Sequence, residues 1–362
     1  MRLRSLGASM VGKGLFRFVP VASFFCGVIW DALTLGVRVK VLDFWRLGGV
    51  LGLAAILAFV LARRDYRGTA PPDSQNTAAS RWERFLWQFP YPALQFCFGS
   101  LYSALFILYA KSSSHFTAGI GAAVLGALLV ANEFWGARYG SRYSLIWAFF
   151  AFCASLLMNF ALPFAAGSLN PIWFYLSTAV GVGLAHLLRL CSPGRPGRIV
   201  PAWAVGLALM GAWRLDMVAP VPLVTRDVAI GQEFVKAGSD YRLRVEPAAP
   251  WQIWRDWAAT LHVPDQGQIY AVSAVFSPRG VTAALEHRWE RQDESGSWRR
   301  VGGSRFTLVG GREQGFRGYS YVTNPAPGAW RLVVATQDGR TVATTDFEVV
   351  RGTPARSQER RY

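Results

Sequence analysis

The chain has 362 residues, of which 52% are hydrophobic and 17% charged, and 38 Lys and Arg against 22 Asp and Glu leave a formal net charge of +16. The hydrophobic share excludes an intrinsically disordered chain, and the charged share lies below the roughly 25% of an ordinary soluble protein. A mean hydropathy of +0.22, with 15 Trp and 24 Phe, points to a protein made partly for lipid.

The charge is unevenly placed. Residues 1–216 carry a net +12 and residues 217–362 a net +4. Seven apolar segments in the first part approach the roughly 20 residues that a membrane-spanning helix needs. They are 15–35, 44–62, 90–110, 116–135, 143–165, 171–190 and 199–215. Lipid offers the backbone no hydrogen-bond partner, so uninterrupted apolar runs of this length predict helices. The first is read as an uncleaved span, because its apolar stretch is long for a signal peptide and no small-x-small site follows it.

With seven spans, 14 Lys and Arg fall on one side of the membrane and 4 on the other. The positive-inside rule then puts the N-terminus in the cytoplasm and the C-terminal region outside, in the periplasm of a bacterium. The bilayer is the first expected partner. Much of the positive charge reports orientation, so nucleic acid is not expected as a partner. Cys26, Cys97, Cys153 and Cys191 all lie in or at the ends of spans, and neither zinc-type Cys/His spacing nor CxxC occurs. No metal and no cofactor is expected.

After the spans, Ala219-Pro220-Val221-Pro222 reads as a stiff exit from the membrane. Trp251, Trp254 and Trp257 recur at spacing three, which fits a short amphipathic helix lying on the bilayer or against the outer domain. From Gln268 onward the period is two. Strands are predicted over 269–276, 281–290, 304–309, 315–322, 330–334 and 341–349, with a tight turn at Asp338-Gly339. In the second of these, Val281, Ala283, Leu285, His287 and Trp289 share one face. Short strands with Gly and Pro turns predict a small antiparallel β-sandwich, immunoglobulin-like in class. The fold expected is an all-α membrane bundle over 1–217, a linker with the short helix over 218–267, a periplasmic sandwich over 268–350 and a flexible tail over 351–362.

Within the sandwich, Phe276-Ser277-Pro278-Arg279-Gly280, His287-Arg288-Trp289, the run Gly310 to Arg317, Tyr319-Ser320 and Pro327-Gly328-Ala329-Trp330-Arg331-Leu332 form a recognisable set. The region 274–349 resembles the bacterial envelope domain of unknown function 2914. The apolar half, with Trp30-Asp31-Ala32-Leu33 and Gln95-Phe96, is similar to the multi-pass proteins that carry this tail. The sequence departs from the family at Tyr319, where the family usually has Trp, and it has no Lys two residues after Ser320. The resemblance implies an architecture and no known reaction.

Two sets of residues are candidates for function. Polar groups inside spans are costly and often functional, which singles out Asp31, Gln95, Glu133 and His186, with Asn159 as a further packing group. In the outer domain, His287, Trp289, Arg312, Arg317 and Tyr319 would form a recognition patch, since Arg beside aromatics suits carboxylate, phosphate or carbohydrate. The plainer alternative for His287 is a core histidine hydrogen-bonded to a neighbour. Gly48/Gly52 and Ala122/Gly126 have the small-xxx-small spacing of close helix packing, within one bundle or between copies in a homo-oligomer. The sequence contains no GxSxG, HExxH, phosphate loop or dinucleotide fingerprint. Two functions are therefore expected. The first is a non-enzymatic inner-membrane protein whose sandwich binds an envelope protein or glycan. The second is a transporter or envelope-modifying enzyme with a polar path through the helices.

Overall fold

The computed structural model describes residues 41–68, 86–87, 89–112, 142–218, 220–238, 240–249, 256–312, 314–354 and 356–362, with isolated positions between 22 and 29. The chain divides into two compact units, one helical and one built of strands.

Among the described residues the helical part has five delimited helices: α1 Val41–Tyr66, α2 Pro90–Ser112, α3 Arg142–Ala166, α4 Ile172–Cys191 and α5 Val200–Arg214. Three segments, Asp43–Tyr66, Arg142–Ala166 and Ile172–Cys191, are long and apolar enough to cross a membrane. Seven spanning helices are not supported. The expected spans at 15–35 and 116–135 lie outside the described residues, apart from isolated positions in the first. The segment 199–215 forms only the 15-residue α5. At 1.5 Å per residue that is about 22 Å, short of a hydrocarbon core of about 30 Å.

Small and hydroxylic residues bring these helices together. A Cβ on Gly181 of α4 would lie 2.3 Å from the Ser155 backbone nitrogen of α3, so only glycine permits that approach. Ser155 Oγ donates to the Thr178 carbonyl (3.3 Å) and Ser177 Oγ to the Met158 carbonyl (3.0 Å). Phe174 of α4 stacks on Trp213 of α5 at 4.2 Å. At the polar end, Asp65 of α1 accepts from Arg142 (2.7 Å) and Tyr143 (2.6 Å) of α3.

The other unit holds eleven strands among the described residues: β1 Val224–Gly231, β2 Glu233–Ala237, β3 Asp240–Val245, β4 Thr260–Val263, β5 Gln268–Phe276, β6 Thr282–Gln292, β7 Trp298–Val309, β8 Phe316–Thr323, β9 Gly328–Thr336, β10 Thr341–Arg351 and β11 Gln358–Arg361. They form a three-stranded sheet β1-β5-β8, a five-stranded sheet β4-β10-β9-β6-β7 and a small sheet β11-β3-β2. Pairing is antiparallel except between β4 and β10. The six strands expected from period-two alternation are all present, and Gly339 takes the positive φ of +85° that the β9–β10 turn requires.

The inward row of β6 is as its alternation implies. Val281, Leu285, His287 and Trp289 are no more than 1% exposed. Trp289, Trp330 and Phe347, with Ile269, Ala271 and Val275 from β5, fill the space between the two larger sheets.

Two boundaries differ from expectation. The strand unit begins at β1, so much of the expected linker 218–267 is folded into β1 to β4. Residues 250–255, which take in most of the expected Trp-rich helix, lie outside the described residues, and Trp257 at its end is buried in the core of the strand unit. The expected flexible tail instead ends in β11, which pairs with β3 from Gln358↔Val245 to Arg361↔Arg242, and Tyr362 packs against the core. Backbone pairing and one terminal aromatic ring outweigh the polar character of Gln-Glu-Arg-Arg.

Candidate functional site

The inner face of β6 carries a buried polar chain. His287 is 0% exposed, and its ring lies between the two larger sheets. Its Nε2 is 2.7 Å from Ser273 Oγ on β5 and its Nδ1 is 2.8 Å from Ser320 Oγ on β8. Trp289 Nε1 donates to the same Ser320 oxygen at 2.9 Å. The Trp289 indole is donor-only. One proton arrangement uses every group in order: Trp289 donates to Ser320, Ser320 to His287 Nδ1, and His287 Nε2–H to Ser273. Phe306 meets the imidazole edge-on at 4.9 Å.

Burial disfavours the imidazolium, so the His287 pKa is lowered to about 3. A serine 2.7 Å from an imidazole is the spacing of a nucleophile and its base. Here Ser273 and His287 are both fully buried, which leaves no approach for a substrate. The chain ties the two sheets together through neutral hydrogen bonds.

The outer face of β8 is different. Arg317, Tyr319 and Tyr321 alternate outward while Gly318 and Ser320 face in. Tyr319 and Tyr321 are 38% and 57% exposed. The β2–β3 hairpin lays Phe234 against this face. Phe234 stacks on Tyr319 at 4.7 Å and on Tyr270 at 5.8 Å, and Tyr241 meets Tyr319 edge-on at 5.7 Å. Tyr270 lies opposite Tyr321 in the β5–β8 register, with ring centroids 5.7 Å apart. Lys236 Nζ stands over both Tyr241 (5.6 Å) and Tyr319 (5.9 Å), within cation–π range.

The structure therefore separates the five residues of the expected patch. His287 and Trp289 lie inside, while Tyr319 and Arg317 lie outside on the tyrosine face. Arg317 Nη2 donates to Gln314 Oε1 at 2.8 Å, and exposed Arg312 stands over the Phe316 ring at 5.6 Å. Sequence reasoning missed Phe234, Lys236, Tyr241 and Tyr270 as members of this face. Their available signal was the alternation of Tyr241, Leu243 and Val245 against charged neighbours.

In the helical part, Gln95 is buried on α2 and His186 meets Trp203 edge-on at 6.0 Å. Asn159 on α3 is 1% exposed, and neither polar atom of its side chain has a hydrogen-bond partner among the described residues. Asp31 and Glu133 lie outside the described residues. No group of three or more His, Cys, Asp or Glu able to hold a metal ion occurs among the described residues.

Residues 283–349 match the family described as protein of unknown function (DUF2914). The match takes in β6 to β10 almost entirely, including His287, Trp289, Tyr319 and Ser320, and leaves the helical unit untouched. No curated protein matches the chain. Among solved structures, an immunoglobulin-like protein from Pseudomonas aeruginosa is 11% identical over 34% of this chain and 97% of its own, with a TM-score of 0.18. The soluble domain of PmoD from Methylocystis sp. ATCC 49242 (Rockwell) is 15% identical over 32% and 97%, with a TM-score of 0.18. The alkylpurine DNA glycosylase AlkC from Pseudomonas fluorescens, bound to DNA with an abasic site analogue, is 11% identical over 85% and 98%, with a TM-score of 0.22. Scores this low carry neither fold nor function across.

Proposed function

We propose that the chain is a bacterial inner-membrane protein whose strand unit is displayed in the periplasm and binds an envelope glycan without catalysis. The observation that carries this reading is the exposed tyrosine face, in which Lys236 stands over Tyr319 and the outward row of β8 continues to Tyr321 and Arg317. Contiguous exposed aromatic surface is a common mark of a binding site. Aromatic faces stack on the apolar side of sugar rings, and the cations suit acidic sugars. Three apolar helices support the anchoring, and the periplasmic side is taken from the charge bias of the seven-segment reading, two segments of which lie outside the described residues.

Calorimetric titration of the full chain in detergent with soluble peptidoglycan fragments tests the binding. Saturable binding that weakens at least tenfold in Tyr321→Ala supports it. No saturable binding, or equal affinity in Tyr321→Ala, overturns it. Tyr321 is the better target because its one ring partner among the described residues is Tyr270, whereas Tyr319 helps to hold the hairpin. Alkaline phosphatase fused after Tyr362, which keeps β10 and β11 whole, is expected to be active, and an inactive fusion in an inserted protein reverses the orientation.

A second reading is favoured by Asn159 alone. An unpaired buried amide in an apolar helix marks a place where a polar solute or water would be held, as in a transport path. Loss of a transport phenotype in an Asn159 variant that still inserts and folds would support it.

A further inference from the structure

The outer face of the five-stranded sheet, opposite the tyrosines, holds an unbalanced charge cluster. Glu286 of β6 has a side chain only 10% exposed, and three guanidiniums converge on it. Arg288 Nε is 3.1 Å from Oε1, while Arg300 Nη2 and Arg305 Nε are 3.5 and 3.6 Å from Oε2. Glu290, the register partner of Arg300, shares this face, so three cations meet two carboxylates and one positive charge is in excess. A charge-assisted N–H···O contact normally closes to about 2.7–2.9 Å, so Arg300 and Arg305 are held beside the carboxylate without a tight pair. Their side chains are 51% and 76% exposed, and each guanidinium has five N–H donors.

The backbone is shaped for this arrangement. The β6–β7 register slips by one residue, since Trp289 pairs with Gly302 and Glu290 with Arg300, leaving Val301 as the extra residue of a bulge. A Cβ on Gly303 would lie 2.9 Å from Arg300 Nη2 and 2.5 Å from the His287 carbonyl oxygen. Glycine therefore gives the Arg300 guanidinium room to fold back across β7 toward Glu286. Beside the cluster is a cavity of about 160 Å³ lined by Glu286, Arg305, Thr307 and Gln337 together with Ala284, Leu285 and Phe306, and Arg300 stands outside this lining. It has the size for one small polar group.

We infer that the exposed side of this cluster, at the mouth of the cavity, is an anion site that takes a phosphate or carboxylate group on Arg305 and Arg300, with Glu286 as the positioning residue that fixes the two forks. The Glu286 carboxylate repels an anion, so the ligand sits on the solvent side of the guanidiniums. The shared chemistry is a tetrahedral or planar oxyanion, whether free or on the headgroup of an acidic lipid.

The test is calorimetric titration of the full chain in neutral detergent with inorganic phosphate. Saturable binding, weakened at least tenfold in both Arg300→Gln and Arg305→Gln and unchanged in Arg299→Gln, supports the site. Arg299 is the control because it bonds Asp293 at 2.7 Å outside the cluster. Doping the micelles with phosphatidylglycerol separates the sources: competition with phosphate assigns a lipid headgroup, and no competition assigns a free anion. No saturable phosphate binding, or equal binding in both Gln variants, overturns the site. Both side chains are more than half exposed, so the variants are expected to fold, with melting temperature as the check. Tyr321→Ala should bind phosphate normally, which keeps this result independent of the glycan reading.

Discussion

His287 in the strand unit and Asn159 in the helical unit are both polar and both buried, yet their surroundings are opposite. Each ring nitrogen of His287 has a hydroxyl partner, and the chain continues to Trp289. Asn159 has no partner on either side-chain atom among the described residues. An unsatisfied buried polar group costs about 1–3 kcal/mol, whereas a paired one contributes about 1 kcal/mol. The polar residue of the β core is thus part of what holds two sheets in register. By the same arithmetic, the unpaired amide of the helical core costs stability unless a solute or water meets it.

The strongest way to break this comparison is to cut the β chain at its bulkiest member. Trp289→Ala removes a fully buried indole and the donor to Ser320, and is expected to cost about 4 kcal/mol. Chemical denaturation of the strand unit reads it. A loss under about 1 kcal/mol would mean that the sheets are held elsewhere.

Acid provides the next test. An unfolded histidine titrates near pH 6.5, while folded His287 is held neutral down to about pH 3 by burial. Below pH 6.5 the unfolded chain therefore binds a proton that the folded chain refuses. The stability is fully present above that pH and falls by about 1.4 kcal/mol per pH unit as pH drops toward 3. His287→Gln keeps a donor and an acceptor but does not titrate, so it should flatten this part of the pH–stability curve. An unchanged slope in the variant would assign the acid sensitivity to carboxylates instead.

How much of this was legible in the sequence follows from which interactions leave a pattern. The alternation from Val281 to Trp289 marks an inward row, and that row is the core. Ser273 and Ser320 could not be read, because they lie 14 and 33 residues from His287 and meet it only when β5 and β8 close over β6. β2 and β3 were hidden by their charges, since Glu233, Lys236, Asp240, Arg242 and Arg244 mask a short alternation. β11 is held by backbone pairing, which needs no side-chain code. The expected patch mixed both faces because His287, Trp289 and Tyr319 looked alike as aromatics. Only the β8 register shows Ser320 turned in and Tyr319 turned out.

The smallest expected effect is the most discriminating. Leucine has the same heavy-atom branching as asparagine and no polar atoms, so Asn159→Leu removes an unpaired amide without shortening the side chain. If Asn159 only burdens the helical core, the variant should raise stability in detergent by about 1 kcal/mol, seen as a higher melting temperature. Hydrogen bonds between helices in lipid average about 0.6 kcal/mol, so a fall of that order would instead reveal a partner such as held water. A rise in stability accompanied by loss of a cellular phenotype has one consistent explanation: the amide is kept for a solute, and the helical unit does more than anchor the strands.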